Sequence, residues 1–202
     1  ASVVSPMAKI AFILLVHKDP DGVVRQARSL AEAGDCVAVH FDASAPEASF
    51  ARIRDGLQDV PGVVFARRRV RCGWGEWSLV AATLEAVRAA RAAFPDATHY
   101  YMISGDCMAI KSAEYAHEAL DAEDADHIES FDFFDSDWIK TGIKEDRLIY
   151  RHLFNERTQT RRFYASYNLQ KRLGLSRAIP ADLQIQIGSQ WWCLRRRTIE
   201  AI

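Results

Sequence analysis

Three polar side chains in this sequence stand directly after short apolar runs that read as buried strands. His17 follows the first run, Asp42 follows the second, and Asp106 follows a tight Ser104-Gly105 turn at the end of the fourth. In α/β proteins, ligands bind just beyond the carboxyl ends of strands, so these side chains are candidates for a binding site. A carboxylate at Asp42 could accept hydrogen bonds from a ribose hydroxyl or a uracil N–H. The alternative is that each residue is an ordinary cap or turn residue.

The acidic residues do not form an evident metal site. An enzyme that holds a nucleotide sugar through a metal ion usually has a second carboxylate two residues after the first, and after Asp106 that position is Met108. The pattern Asp-x-Asp occurs at 19–21, 124–126 and 135–137. Among 27 acidic residues in 202, such pairs arise by chance, and only the third lies in a plausible site region. We expect no bound metal, with the third pair as the alternative.

Aromatic residues with small neighbours occur at two places. CGWGEWS (72–78) sets Trp74 between two glycines, where the indole has room to lie across a ligand, and GSQWW (188–192) adds Gln190 and Trp191. Sugar rings present apolar C–H faces and polar rims, so aromatic planes with amides and carboxylates nearby suit a carbohydrate. The alternative for 72–78 is a turn with two core tryptophans.

The elements that must position these residues alternate along the first half of the chain. Apolar runs predict strands, and apolar spacings of three and four residues predict helices. In one of these, Val80, Leu84 and Val87 form a helical stripe, with Leu79, Thr83, Ala86 and Ala90 beside it. The predicted strands are 9–17, 35–42, 62–70 and 98–104, and the predicted helices run from Pro20 to before Gly34, over 47–59 and over 76–93. This alternation indicates an α/β fold with a mostly parallel sheet flanked by helices on both faces.

The second half of the chain is less regular. From about residue 126 the sequence is aromatic and acidic without a clean period. It then predicts a short strand at LIYRHLF (148–154), a polar helix over 159–173 and an alternating segment over 183–196. We expect this irregular half to shape one side of a site.

Composition excludes several classes of protein. The chain has 202 residues, of which 49% are hydrophobic and 26% charged, and a net charge of -1, which argues against nucleic acid as a partner. Neither a GxGxxG fingerprint nor a Walker lysine loop is present. The apolar run 10–16 is too short to span a membrane, and four scattered cysteines fit free thiols in a reducing cytoplasm. Residues 1–6 lack the basic flank of a signal peptide and are expected to be an added or disordered extension before a natural Met7.

Five segments in order resemble those of one enzyme family. The chain is similar to the core-2/I-branching β-1,6-N-acetylglucosaminyltransferases and the related peptide O-xylosyltransferases, in a bacterial form. The resemblance covers about residues 9–202, and its motifs are VHKD (16–19), VHFD (39–42), WGEWSLVAATL (74–84), ISGDCMAIKS (103–112) and GSQWWCLRRRTIEAI (188–202).

The resemblance implies a GT-A-like, Rossmann-type fold and an activity. The family transfers N-acetylglucosamine or xylose from a UDP-sugar to a glycan hydroxyl with inversion, as in polysaccharide biosynthesis. It works without the metal that Asp-x-Asp holds in other GT-A enzymes, and basic side chains neutralise the diphosphate instead. By position, the donor-side residues would be Val16 and His17 lining the nucleotide pocket, Asp42 on the uridine, Trp74 beside the donor, and Ser104 and Gly105 as the family's Ser-Gly turn.

The chain departs from the family pattern in its turn and at its end. The family's usual acid falls at Cys107 and its usual proline at Ala109, so Asp106 would take over the role of that acid. The general-base glutamate and the diphosphate-binding Arg and Lys of the family lie beyond Ile202, so the native chain is expected to continue. Candidate acceptor-side residues by position are Glu129, Lys144, Arg147, Gln190 and Trp191.

The resemblance also sets the expected organisation of the protein. We expect one glycosyltransferase domain over 7–202, with a nucleotide-sugar half at 7–125 and an acceptor-side half at 126–202. It would be cytoplasmic, with any membrane association supplied by parts outside this sequence, and no cofactor other than the UDP-sugar donor is expected. Two alternatives stay open: a non-catalytic nucleotide- or glycan-binding module, and a metal-dependent transferase that uses Asp135 and Asp137.

Overall fold

The computed structural model describes residues 7–140 and 142–202, so the prediction for residues 1–6 lies outside it. The described chain forms two compact units. One comprises the residues up to Ile128 together with Gln190–Ile202, and the other comprises Glu129–Ser189. A single domain over 7–202 stays a prediction.

The strand–helix alternation predicted for the first half is present. The described elements in chain order are β1 (Ile10–Val16), α1 (Pro20–Glu32), β2 (Cys36–Phe41), α2 (Glu47–Leu57), β3 (Val63–Phe65), α3 (Trp77–Ala93), β4 (His99–Ser104), α4 (Ala113–Ala122), β5 (His127–Ile128), β6 (Phe131–Asp132), α5 (Asp146–Ile149), α6 (Thr160–Leu173), β7 (Gln186–Ile187), β8 (Trp192–Arg195) and α7 (Arg196–Glu200).

The first unit is built on a six-stranded sheet in the order β3-β2-β1-β4-β8-β5. The strands β1 to β4 are parallel, β8 is antiparallel to β4, and β5 is antiparallel to β8. The predicted α/β class with a mostly parallel sheet is confirmed. Because β2 and β4 lie on opposite sides of β1, the strand order reverses at β1, which is where α/β sheets open a crevice for ligands.

Helices cover both faces of this sheet, as predicted. On one face Val23 of α1 and Ile53 of α2 pack against alternate residues of β1 and β2, and α4 lies on the same side. On the other face Ala86 and Ala90 of α3 pack against the residues of β1 and β2 that alternate with these. A strand buried on both faces has no polar side to present, which explains the unbroken apolar run of β1.

Two predictions in the first half need correction. The third strand covers Val63–Phe65 rather than 62–70. The Ala66 amide still donates to the Val39 carbonyl at 2.8 Å, but further on the Val70 amide donates to a side chain, His40 Nε2, at 2.9 Å instead of to a backbone carbonyl. The predicted stripe on α3 is buried at Val87, and beside it at Ala86 and Ala90, but not at Val80. Val80 is 43% exposed, whereas Ala82 and Ala89 are buried, because small residues let the helix lie close to the sheet.

The second unit holds α5, α6 and the antiparallel pair of β6 and β7. The polar helix predicted for 159–173 is confirmed as α6, and it buries Phe163 and Tyr167. The strand predicted for 148–154 is wrong, because its first residues belong to α5, where the Tyr150 amide closes the helix on the Asp146 carbonyl. In the described residues of both units, no helix is long and apolar enough to cross a membrane.

Candidate functional site

The carboxyl ends of β1, β2 and β4 meet at one edge of the sheet. The Asp42 amide donates to the Val16 carbonyl at 2.9 Å, and the Gly105 amide donates to the Leu15 carbonyl at 3.3 Å. Val16 and Asp42 are buried, while His17 is exposed immediately beyond the strand. Three of the predicted strand ends are therefore in direct contact.

Asp42 is a buried carboxylate with most of its acceptor capacity filled. Its Oδ1 accepts from the amide and the hydroxyl of Ser44, both at 2.6 Å, and the Cys72 amide lies 3.4 Å from Oδ1 and 3.3 Å from Oδ2. Burial raises the pKa of the Asp42 carboxyl, but the hydrogen bonds from Ser44 and Cys72 outweigh it and bring the pKa below its usual value. Among the described residues, Oδ2 accepts only the Cys72 amide, so it can accept a further donor.

The segment 66–72 is fixed over the end of β2 by side chains. The Val70 amide donates to His40 Nε2, while the Val70 carbonyl accepts from the Ala43 amide at 3.0 Å. Arg69 donates to the carbonyls of Phe41, Asp42 and Ala45 at 3.0–3.3 Å, and its guanidinium lies 4.5 Å from the ring centroid of Phe50. These contacts hold the Cys72 amide against the carboxylate.

Cys72 itself is a donor and not a nucleophile in this arrangement. Burial, together with the nearby charge of Asp42, raises the pKa of the Cys72 thiol to about 12, so the thiol stays protonated at neutral pH.

Trp74 and Trp77 lie on the surface next to this segment. Trp74 is 67% exposed and Trp77 is 73% exposed, so the alternative of two core tryptophans is wrong. Gly75 has a φ of +71°, a left-handed conformation that lets the chain turn between the two rings and into α3. The largely exposed Trp74 indole lies two residues along the chain from Cys72, whose amide contacts Asp42.

The Ser104-Gly105-Asp106 turn packs tightly onto β1. A Cβ atom on Gly105 would lie 3.0 Å from Val16 Cγ1 and 3.4 Å from Val23 Cγ2, so glycine allows the turn to approach the strand. Asp106 is exposed and forms a 3.0 Å ion pair with Lys18. The turn therefore lies directly beside the end of β1.

Gln190 and Trp191 belong to the same unit and precede β8. Both are exposed, with Trp191 at 41%. Because β8 runs antiparallel to β4, with Cys193 opposite Tyr101, the start of β8 lies toward the edge where β4 ends. This places the two residues at the edge that carries Asp42 and the turn.

The other three acceptor-side candidates lie in the second unit, where the Arg147 amide donates to the Lys144 carbonyl at 3.2 Å. Lys144 donates through Nζ to the carbonyls of Phe134 and Ser136, at 3.1 and 3.0 Å. Arg147 donates to the Ile143 carbonyl at 2.8 Å. Glu129 is exposed, and its carbonyl faces Gly188.

Comparison with known families gives one match over nearly the whole chain. The family model described as Core-2/I-Branching enzyme matches residues 10–202. The chain belongs to the Core-2/I-branching enzyme family. This is a glycosyltransferase family, whose members take a sugar donor and a glycan acceptor. A comparison with curated proteins finds no match.

In this branching-enzyme chain, the partners of Asp42 were missed by the sequence reasoning. Ser44 had a local signal, since an Asp followed two residues later by a hydrogen-bonding residue is typical of an Asx turn. Cys72 had none, because its amide contacts the carboxylate from a position 30 residues further along the chain. Within the basic run 67–71, the Arg69 side chain is mostly covered, at 19% exposure.

Two of the three Asp-x-Asp pairs have structural partners. Asp19 caps α1 by accepting the Gly22 amide at 3.0 Å, and Asp124 and Asp126 both bind Arg195, at 2.8 and 3.1 Å. In the third pair, the Asp135 amide donates to Asp132 Oδ1. Within residues 7–140 and 142–202, no three His, Cys, Asp or Glu side chains cluster as metal ligands would.

Proposed function

We propose that this branching-family chain is an inverting glycosyltransferase that moves N-acetylglucosamine or xylose from a UDP-sugar to a glycan hydroxyl without a bound metal ion. Membership of a glycosyltransferase family supports the reaction class. The observation that carries the nucleotide part is the buried Asp42 carboxylate, ionised and with Oδ2 able to accept another hydrogen bond, at the reversal point of a Rossmann-type sheet.

The first unit supplies the donor-binding groups in this proposal. Asp42 Oδ2 accepts a uracil N–H or a ribose hydroxyl, and Val16 and His17 line the nucleotide pocket. The exposed Trp74 ring lies beside the donor sugar, whose C–H face suits an aromatic plane. The Ser104-Gly105 turn closes the other side of the nucleotide, with Asp106 in place of the family's acid.

On the acceptor side, Gln190 and Trp191 are the candidates of the first unit, and Glu129, Lys144 and Arg147 are the candidates by position in the second unit. An inverting transfer needs a general base on the acceptor hydroxyl and positive charge beside the departing diphosphate. In this proposal the carboxyl edge of the sheet binds the donor, and none of its residues is assigned as the general base. The four cysteines are free thiols, which supports a reducing cytoplasm as the compartment.

Calorimetric titration with UDP tests this proposal. The chain is titrated in excess EDTA and again with Mn²⁺, and we expect binding in EDTA that Mn²⁺ leaves unchanged. Binding that requires Mn²⁺ would favour a metal-dependent transferase at Asp135 and Asp137. Absence of binding in both buffers contradicts the proposed nucleotide site.

A transfer assay separates the enzyme from a binding module. Radiolabelled UDP-N-acetylglucosamine and UDP-xylose are incubated with the full-length native protein and a mixture of glycan acceptors, and transfer is expected with one of the two donors. A full-length protein that binds UDP tightly but consumes neither donor would be a nucleotide-binding module.

A further inference from the structure

Gln26, on the face of α1 that turns toward β4, bridges two carbonyls of the strand-end turn. Its Nε2 donates to the Ser104 carbonyl at 3.1 Å and to the Cys107 carbonyl at 2.9 Å. The turn itself is closed by the Cys107 amide, which donates to the Ser104 carbonyl at 3.1 Å. The Gln26 side chain is therefore hydrogen-bonded to the first and the last residue of the four-residue turn that contains Gly105 and Asp106.

The surroundings of Gln26 indicate that its amide group serves to donate these two hydrogen bonds. The two carbonyls fix the orientation of the amide, since only its NH₂ group can donate to both. Its Oε1 is buried and has no hydrogen-bond partner in the described chain, which is an unfavourable arrangement for an acceptor. A purely apolar packing residue would avoid that cost, so the two donated hydrogen bonds are what the glutamine contributes.

Other contacts tie the same helix to the same turn. Val23, one helical turn before Gln26, lies where it would contact a Cβ on Gly105. Lys18, just ahead of the helix cap, pairs with Asp106, although this ion pair is exposed and therefore weak. Among these contacts, the Gln26 amide supplies the directional hydrogen bonds, which set the orientation of the turn as well as its distance.

We propose that Gln26 is a positioning residue for the donor site: through its two hydrogen bonds it holds the Ser104–Cys107 turn in the orientation that receives the nucleotide. This inference rests on the proposed function, because it takes the turn to be part of the donor site. Gln26 acts through the turn and does not itself contact the ligand, since its free oxygen is enclosed by protein.

The first test replaces the amide with a side chain of similar length that cannot donate. Gln26→Met should raise the dissociation constant for UDP, measured by calorimetry on the whole chain, by about tenfold, the scale expected for losing one or two hydrogen bonds. Arg25→Gln, an exposed change at the adjacent position of the same helix, is the matched control and should bind UDP as the unchanged chain does.

A second variant gives a pH dependence of UDP affinity that a loss of stability alone would not produce. In Gln26→Glu the introduced carboxylate faces two carbonyl oxygens, whereas its protonated form can donate to one of them. Its UDP affinity relative to the unchanged chain should therefore improve as the pH falls from 8 to 5. The pH profile remains informative even if Gln26→Met folds poorly.

The outcomes separate the two proposals. Failure of the unchanged chain to bind UDP would overturn the proposed function. Binding by the unchanged chain together with wild-type UDP affinity in folded Gln26→Met, or a flat relative profile for Gln26→Glu, would overturn the role of Gln26 and leave the proposed function standing.

Discussion

At Asp42, burial and hydrogen bonding act in opposite directions on one carboxyl group. Burial disfavours the charged form, and the donors from Ser44 and Cys72 favour it more strongly, so the pKa of the carboxyl falls below its usual value. A ligand N–H or O–H then meets an acceptor that is already ionised and already oriented. The proposed recognition of the nucleotide by this carboxylate is by hydrogen bonding.

Removing this carboxylate should weaken nucleotide binding. We expect Asp42→Ala to raise the dissociation constant for UDP by roughly 5- to 150-fold, which corresponds to about 1–3 kcal/mol for a lost buried hydrogen bond. Calorimetry gives the affinity, and circular dichroism reports whether the variant is folded. Ser44→Ala is the matched control, because it removes one donor to the carboxylate but leaves the carboxylate in place, and it should cost less than Asp42→Ala. Unchanged UDP affinity in folded Asp42→Ala would remove this residue from the site.

The two exposed tryptophans offer a matched pair for the sugar side. Trp74→Ala should weaken binding of the UDP-sugar more than binding of UDP, because an aromatic face contributes about 1 kcal/mol to a stacked partner. Trp77→Ala, which removes an equally exposed ring three residues further on, should change neither affinity. The measurement is the ratio of the two dissociation constants for each variant. Equal losses of UDP and UDP-sugar in Trp74→Ala would indicate a structural role for this ring.

At the scale of elements, boundaries that depend on neighbouring residues could be predicted from the sequence, and boundaries that depend on distant residues could not. The start of α1 followed from Asp19 and Pro20, and the structure shows that cap, because both residues act within one helical turn. The end of β3 could not be predicted from its own sequence, since it depends on the imidazole of His40 and the guanidinium of Arg69. Each of these groups bonds to a residue about 30 positions away, which no local sequence pattern indicates. The same limit applies to the Gln26 bridge.

The end of β8 is held to the segment before β5 by an ion-pair network. Asp126 accepts from the Arg195 guanidinium and amide and from the Thr198 hydroxyl, at 2.7–3.1 Å. The hydrogen bonds from Arg195 are the largest cause of the strongly lowered pKa of the Asp126 carboxyl, and burial opposes them. Both side chains are mostly covered, at 22% and 16% exposure, so this pair is less screened by solvent than a surface pair.

Breaking this network should destabilise the first unit. We expect Asp126→Asn to lower the free energy of unfolding by about 1–3 kcal/mol, because the Arg195 charge loses its main partner. Urea unfolding at pH 7 measures the change. Asp124→Asn is the control, since Asp124 also binds Arg195 but is 77% exposed, and its effect should be much smaller. Because the pKa of Asp126 is lowered by folding, its contribution is present above about pH 4 and is lost as the pH falls further. Equal effects of the two substitutions would contradict this account.

At the scale of the whole molecule, the sequence predicted that the residues at the ends of the parallel strands lie together, but it did not predict the pairing of β8 beside them. Parallel strands end at one edge, so Val16, Asp42, Ser104 and Gly105 could be expected together, and the structure places them there. The pairing of β8 with β4 joins residues about 90 positions apart. No periodicity within either segment specifies that pairing, and so the place of Gln190 and Trp191 beside the same edge became visible only in the fold.

Buried histidines should make the stability of the first unit depend on pH. Burial lowers the pKa of His40 and of His99, so both stay neutral in the folded chain. In the unfolded chain a histidine gains a proton below about pH 6.5. The unfolded state then binds more protons than the folded state, and stability decreases as the pH falls from 6.5 toward the lowered pKa. The charged or titratable groups that act on these rings are Asp42, Glu85 and Arg69 for His40, and Asp121, His127, Arg195 and Asp126 for His99.

His40→Gln isolates one of these contributions. Glutamine can still present an oxygen to the Val70 amide, but it cannot take up a proton in this range. Urea unfolding at pH 7.5 and pH 5.0 should therefore show a smaller loss of stability for the variant than for the unchanged chain, by about 1–2 kcal/mol, because each pH unit below the unfolded pKa costs up to about 1.4 kcal/mol per histidine. The value at pH 7.5 reports any cost of the substitution itself. Parallel decreases in the two proteins would show that His40 does not carry the pH dependence, and His99→Gln would then test the second ring in the same way.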